Sequence, residues 1–230
     1  MGYLKTWLVW CMALLWGIFP AVGQEGTITH TLGEYHELKV FDGLSVNLIP
    51  SDRNQAVIRG EDTDKVAVVN TDGVLKIRMQ ITRIFSGYRT FVDIYYTRAP
   101  RIIDVNEDAL IRAETVIRQD VLEVKAQEGG EIRVAAEVTQ FLVKSVTGGI
   151  ITASGTSQNQ DVQINTGGEY RGKDFKTGFC TVNVNAGSMA EIHASDYVQA
   201  TVKAGGQVLV YGNPDKMDEK TVFGGTIKRM

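Results

Sequence analysis

Over the second half of the chain, apolar and polar residues alternate in short runs on either side of a glycine pair, and the arrangement recurs. The pairs begin at Gly129, Gly148, Gly167, Gly187 and Gly205, at steps of 19, 19, 20 and 18 residues. Five residues before each stand Val124, Val143, Val162, Val182 and Ala200, and three before stand Ala126, Ser145, Ile164, Val184 and Val202. Three after stand Ile132, Ile151, Tyr170, Ala190 and Val208, and five after stand Val134, Ala153, Gly172, Ile192 and Val210. The residues between are mainly polar, as in Lys125, Lys144, Gln163, Asn183 and Thr201. Alternation on both sides of a turn predicts two short strands per repeat. Such a unit cannot bury its apolar face alone, whereas stacked copies turn each apolar position into a continuous internal column. The expected fold is all-β: a single-stranded parallel β-helix, or β-solenoid, with coils of about 19 residues stacked about 4.8 Å apart. At the corners Gly129, Gly130, Gly148, Gly149, Gly167, Gly168, Gly187, Gly205 and Gly206 are expected as structural turn residues. A bend there needs either positive φ or close backbone approach, and glycine permits both. A phosphate-cradling role is the disfavoured alternative, since no pair precedes a helical pattern or is followed by Lys-Ser/Thr.

The offsets continue in both directions. Ile103, Val105, Ile111 and Ala113 flank Asp108 and Ala109, which take the glycine positions, and Gly224 stands 19 residues beyond Gly205. Regular coils are therefore expected over 100–230. Residues 36–99 lack the period, but "ELKVFDGLSVNLIPSD", "AVIRGED", "KVAVVNTDGVLKIRMQ" and "RTFVDIYYT" read as strands separated by turn signals. They are expected as irregular opening strands, continuing one domain over 36–230, with a capping layer as the alternative; an uncovered end invites strand addition. Residues 24–35 are expected as a mobile start. Lys5, the apolar run "WLVWCMALLWGIF" and small residues Ala21 and Gly23 before Gln24 have the form of a cleaved secretory signal peptide over 1–23. With that segment removed, no transmembrane stretch is expected.

Removal of Lys5 leaves 23 basic against 27 acidic residues, a net of −4, so no nucleic-acid partner is expected. Cys180 becomes the only cysteine, expected half-buried and inert, with no histidine near it in sequence. Catalytic chemistry on a solenoid needs converging outward acids or bases. Glu131 and Glu169 share an outward position two coils apart with Ile150 between them, and Arg133 and Arg171 do likewise. His193 has Asp196 three residues on. Both arrangements read as solvated surface. No catalytic residue, cofactor or metal is assigned, since His30 and His36 have no metal-ligand spacing. A binding surface is the stronger expectation: "IFSGYRTFVDIYY" gathers Phe85, Tyr88, Phe91, Tyr95 and Tyr96, and Tyr88, Tyr95 and Tyr96 are the candidate ligand contacts.

The order "FDGLSVNL", "VIRGED", "DGVLKIR", "VDIYYT", then glycine-paired repeats, then "VLVYGNPDK" and "GGTIKR", resembles the autotransporter adhesin head domain family, also called head GIN. The resemblance covers 36–228, and Tyr211, Gly212, Pro214, Gly224 and Gly225 are its most specific match. It implies an all-β, β-helix-like domain exported by Gram-negative bacteria, especially of the Bacteroides kind, to the periplasm, the outer-membrane surface or the medium. The resulting expectation is a noncatalytic cell-envelope module, adhesin-like or structural, that contacts glycan or protein. A polysaccharide-acting lyase or glycosidase is the alternative. A homo-oligomer is a further expectation: after the strongly β-forming "VQATVKAGGQVLVYG", only "NPDKMDEKTVFGGTIKRM" is present to cover the strand edge. There "DKMDEK" should discourage pairing, while "TVFGGTIKRM" could fold back as a partial last coil.

Overall fold

The computed structural model describes residues 26–230, so the expected signal peptide lies outside the described residues. Eight short strands come first: β1 (Ile28–Thr31), β2 (Glu37–Val40), β3 (Ser45–Pro50), β4 (Gln55–Gly60), β5 (Val66–Thr71), β6 (Val74–Met79), β7 (Thr90–Tyr96) and β8 (Ile102–Val105). β2, a corner at Asp42 and Gly43, and β3 make the first coil in sequence. The chain then leaves the stacking order. β6 and β7 run parallel to β2 and β3, while β8 takes the other edge of β2. Residues 97–101 must therefore step over the first coil to reach β8. Three antiparallel strands cover the outer edge of this pair: β4 on β7, β1 on β4, and β5 on β6. The reversal between β5 and β6 follows from Asp72-Gly73, both with positive φ (51° and 77°), the geometry that two-residue hairpins favour. Residues 36–99 thus contribute both coils and an antiparallel lid. Within the segment expected as a mobile start, β1 pairs with β4 across four residues, and Leu32 and Tyr35 are buried.

The regular coils are β9 (Leu110–Ala126), β10 (Glu131–Ser145), β11 (Ile150–Ile164), β12 (Glu169–Val184) and β13 (Met189–Lys203). Each is one long bent strand rather than the two short ones the alternation predicts, because parallel pairing continues around the bend. The bend buries Ala136, Val138 and Phe141, adding inward positions that the glycine offsets do not reveal. The predicted columns form in register: Val124, Val143, Val162, Val182 and Ala200 are successive partners, and all are buried. At each corner the two glycines perform different tasks. Thr147 and Gly148 both have positive φ (49° and 74°), and the same pair of conformations recurs at every repeat. Gly149 follows with ordinary φ, but a Cβ there would lie 2.3 Å from the Ala126 carbonyl oxygen of the preceding coil.

Inside, Phe141 and Phe175 stack with ring centroids 4.4 Å apart. Gln160 interrupts the apolar column between Phe141 and Cys180, yet it is buried and satisfied. Its Nε2 donates to the Tyr170 hydroxyl at 2.6 Å, and the Cys180 thiol donates to its Oε1 at 3.5 Å. Gly172 occupies an apolar position because a Cβ there would sit 2.3 Å from the Tyr170 ring. At the far end β14 (Gln207–Tyr211) and β15 (Lys216–Val222) both stack on β13 as a last full coil, and β16 (Thr226–Arg229) stacks on β14 as a partial one. The fold-back of "TIKR" is as expected. The charged "DKMDEK" does not block pairing, however, since it supplies most of β15. Its alternation places Glu219 over Ala200, and β16 places Arg229 over Val210, so two apolar columns end in charged side chains.

Candidate functional site

The acids and the histidine that the sequence offers for hydrolytic or lyase chemistry each have a local partner. Within their own coils, Arg133 donates to Glu131 at 2.7 Å and Arg171 to Glu169 at 2.7 and 2.9 Å. Each carboxylate is therefore held by an arginine of its own coil. His193 Nδ1 lies 2.9 Å from the Lys173 carbonyl, while Asp196 accepts from the Ser195 hydroxyl at 2.7 Å. No His193–Asp196 pair is formed. Cys180 is wholly rather than half buried, and burial, with Asp161 nearby, pushes its thiol far above the ordinary range, so it stays protonated. No group of three or more metal-ligating side chains occurs among the described residues.

The aromatic candidates separate by strand parity. Tyr96 points inward on β7 and is 6% exposed, and burial raises its hydroxyl pKa. It therefore belongs to the core rather than to a ligand surface. Tyr95, one residue earlier, lies on the outward side and is half-buried. Tyr88 is 55% exposed. Its hydroxyl donates to Asp108 at 3.1 Å and its ring covers Gly43, where a Cβ would lie 2.8 Å away. The hydrogen bond to Asp108 raises the Tyr88 pKa. The three candidates thus do not form one surface.

The sequence run that supplies Tyr88 also supplies exposed Phe85 and Phe91, and the structure adds Ile81 and Ile84, which the alternation does not single out. Ile81 (78% exposed), Ile84, Phe85 and Phe91 are all solvent-facing, and with Tyr88 they make the segment from the end of β6 to the start of β7 an apolar projection into water. Its base is anchored by Asp42, a buried carboxylate at the adjacent corner. Met79 N–H donates to Asp42 Oδ2 at 3.0 Å and Phe85 N–H to Oδ1 at 3.1 Å, while Gly87 N–H donates to the Asp42 carbonyl at 2.9 Å. Phe85 adopts φ 58° under this restraint, a conformation that costs a bulky residue about 1 kcal/mol or more. Glu107 abuts the same carboxylate. Burial, Asp42 and Glu128 together hold its pKa above the ordinary value. A signal for the projection was present in "QITRIF", where apolar residues stand without strand alternation. Its anchor was not, because "FDG" reads as an ordinary turn.

A polar cleft lies beyond the opposite, C-terminal end of β7. It has a volume of about 640 Å³ and is lined by Tyr35, His36, Asn54, Thr97, Arg98 and Arg101, among others. It shares Thr97, Arg98, Ala99 and Arg101 with a second trough of about 860 Å³ that reaches the bend of β9 at Thr115–Val121.

Several solved structures share this architecture. A "putative adhesin" from Bacteroides fragilis NCTC 9343 matches with a TM-score of 0.82 at 16% identity, covering 90% of this chain and 98% of that one. A "putative adhesin" from Parabacteroides distasonis ATCC 8503 gives 0.73 at 16% identity, covering 91% and 98%. A "putative lipid binding protein" from the same organism gives 0.67 at 13%, again covering 91% and 98%. At such identities the likeness establishes the fold alone. No curated protein matches the chain. No helix among the described residues is long and apolar enough to cross a membrane. Residues 34–214 match the model of the family described as "Putative auto-transporter adhesin, head GIN domain", and the chain belongs to that family.

Proposed function

We propose that this chain is a noncatalytic binding module of the cell envelope, exported and adhesin-like, which engages its partner through the apolar projection at residues 81–91. The observation that carries this reading is the anchored exposure of Ile81, Ile84, Phe85, Tyr88 and Phe91. Large apolar side chains clustered in water mark interaction sites, and an anchor that survives without the partner lowers the ordering cost of binding. The aliphatic members suit a protein surface better than a sugar ring, which stacks on aromatic faces. The pairing of Glu131 with Arg133 and of Glu169 with Arg171 argues against their use as a glycosidase pair. We also infer that the C-terminal coil is a blunt end rather than an interface between copies: Glu219 and Arg229 terminate its inward columns, a device that discourages edge pairing.

The test is binding of fluorescently labelled mature protein to intact Gram-negative cells, compared with an I81S/F85S variant. Both side chains are exposed, so the variant should melt like the parent while its cell binding drops at least tenfold. Unchanged binding by the variant would refute the assignment of the projection. Release of new reducing ends or unsaturated uronates from envelope polysaccharide would favour the enzyme instead.

A further inference from the structure

The crossover at residues 97–101 exists because the chain builds β6 and β7 out of order and must then return past β2. This detour displays Arg98 and Arg101 on the rim of the polar cleft, and its backbone is fixed at several points. Thr97 N–H and hydroxyl both donate to Asn54 Oδ1, at 2.8 and 3.2 Å. Gln119 Nε2 donates to the Pro100 carbonyl at 3.2 Å, and Arg101 N–H to the His36 carbonyl at 2.8 Å. The His36 ring packs on Gly73, where a Cβ would lie 2.4 Å from Nδ1. The rim is therefore built in advance of any ligand.

Its charges are uncommitted. Arg59, Arg89, Arg118, Arg133 and Arg171 each hold a carboxylate. Arg98 and Arg101 are exposed and hold none among the described residues. Asn54 spends its carbonyl oxygen on Thr97, leaving its NH₂ as a donor. Tyr35, which also lines the cleft, is buried, and its hydroxyl has no partner among the described residues. Each trough carries a single acid, Glu34 in the first and Asp120 in the second, whereas Arg98 and Arg101 line both troughs. Arg118 adds no free charge because Glu137 accepts from it twice, at 2.9 and 3.1 Å.

We infer that this cleft is a second binding site, independent of the apolar projection, which takes an acidic polysaccharide through its carboxylate or sulfate groups. Two planar guanidinium groups match such oxyanions in geometry as well as charge. The two joined troughs suit an extended chain better than an isolated ion. The polar donors of the first trough suit hydroxyl-rich rings better than the apolar side chains of a peptide.

The experiment is affinity electrophoresis and calorimetry of the mature protein at low ionic strength, with polygalacturonate and heparin as acidic probes and methyl-esterified polygalacturonate as the neutral chain. At least one acidic probe should bind ten times more tightly than the neutral chain. R98Q/R101Q should lose at least tenfold, R98K/R101K should lose less, and K76Q/R78Q, which removes two charges elsewhere, should stay within twofold. Melting curves check that each variant is folded, and I81S/F85S should bind the acidic probe like the parent. The proposal is overturned if neither acidic probe binds, if R98Q/R101Q binds like the parent, or if K76Q/R78Q loses as much. It is equally overturned if free galacturonate or sulfate matches the polymers in affinity, which would identify a small-anion site, or if phosphatidylglycerol vesicles bind through these arginines while the polysaccharides do not.

Discussion

Adjacent glycines in one corner should respond unequally to alanine, and Gly148 and Gly149 provide the comparison. At Gly148 the Cβ would meet nothing within 4 Å, so the cost is conformational: φ of 74° must be held by an L-residue, at about 1–2 kcal/mol. At Gly149 φ is ordinary, but the new Cβ would stand 2.3 Å from the Ala126 oxygen and 2.5 Å from its carbon. Carbon–oxygen contacts of this kind settle at about 3.3 Å or beyond, so the two coils must part locally by about 1 Å. That strains the bonds at the corner, Val146 N–H to the Ala126 carbonyl at 3.0 Å and Ile150 N–H to the Gly130 carbonyl at 2.9 Å. With about 1 kcal/mol for each weakened bond plus the displaced packing beneath, Gly149→Ala should cost about 3 kcal/mol, roughly twice Gly148→Ala. The fourth corner is consistent with this argument. Ser188 stands in the Gly149 position, and the bond from Met189 N–H to the Gly168 carbonyl is 3.1 Å, against 2.9 Å at the two preceding corners. Urea melts of the mature protein and the two variants measure the difference through the midpoint at constant slope. If the two substitutions cost the same, or if Gly148→Ala costs more, close approach is not what selects the second glycine.

Val162→Asp would place an unpaired carboxylate in a fully buried column and should cost several kcal/mol or abolish folding, whereas exposed Gln163→Asp should stay within about 0.5 kcal/mol; equal shifts in denaturant melts would contradict the assigned faces. Glu107 has a raised folded-state pKa, so its contribution to stability is fully present below its unfolded pKa and falls as pH rises through the folded value. Glu107→Gln should therefore raise the melting temperature near neutral pH and leave it almost unchanged below about pH 4, where the parent carboxyl is protonated. A lower melting temperature for that variant at neutral pH would contradict repulsion from Asp42. Truncation at Asn213 removes β15 and β16 and uncovers Val198, Ala200 and Val202. Light scattering should detect larger species only after truncation, and monomers in both forms would show that the last coil is dispensable as an end cover.

Repeat length, inward columns and corner positions were legible in the sequence because each is a local consequence of alternation and glycine placement. Val143 and Val162 must lie on one inward face if strands stack in parallel, and a corner with positive φ selects glycine wherever it occurs. Strand length was less legible, since alternation continues through the bend while register shifts obscure it, and Ala136 and Phe141 turn inward only because neighbouring coils define the axis. The out-of-order coil was not legible at all. Local pattern makes β6 and β7 strands, but which edge they join depends on the pairing of β2 and β3 with partners far along the chain. That choice exposes Ile81 and Phe85 by placing their loop beyond the last glycine corner, and it carries Arg98 and Arg101 across the first coil. The sequence by itself therefore determined the solenoid, because one period repeats through the regular coils β9 to β13. Only the tertiary structure decided where its candidate binding surfaces lie, because both arise where the chain departs from that period and their residues meet through long-range pairing.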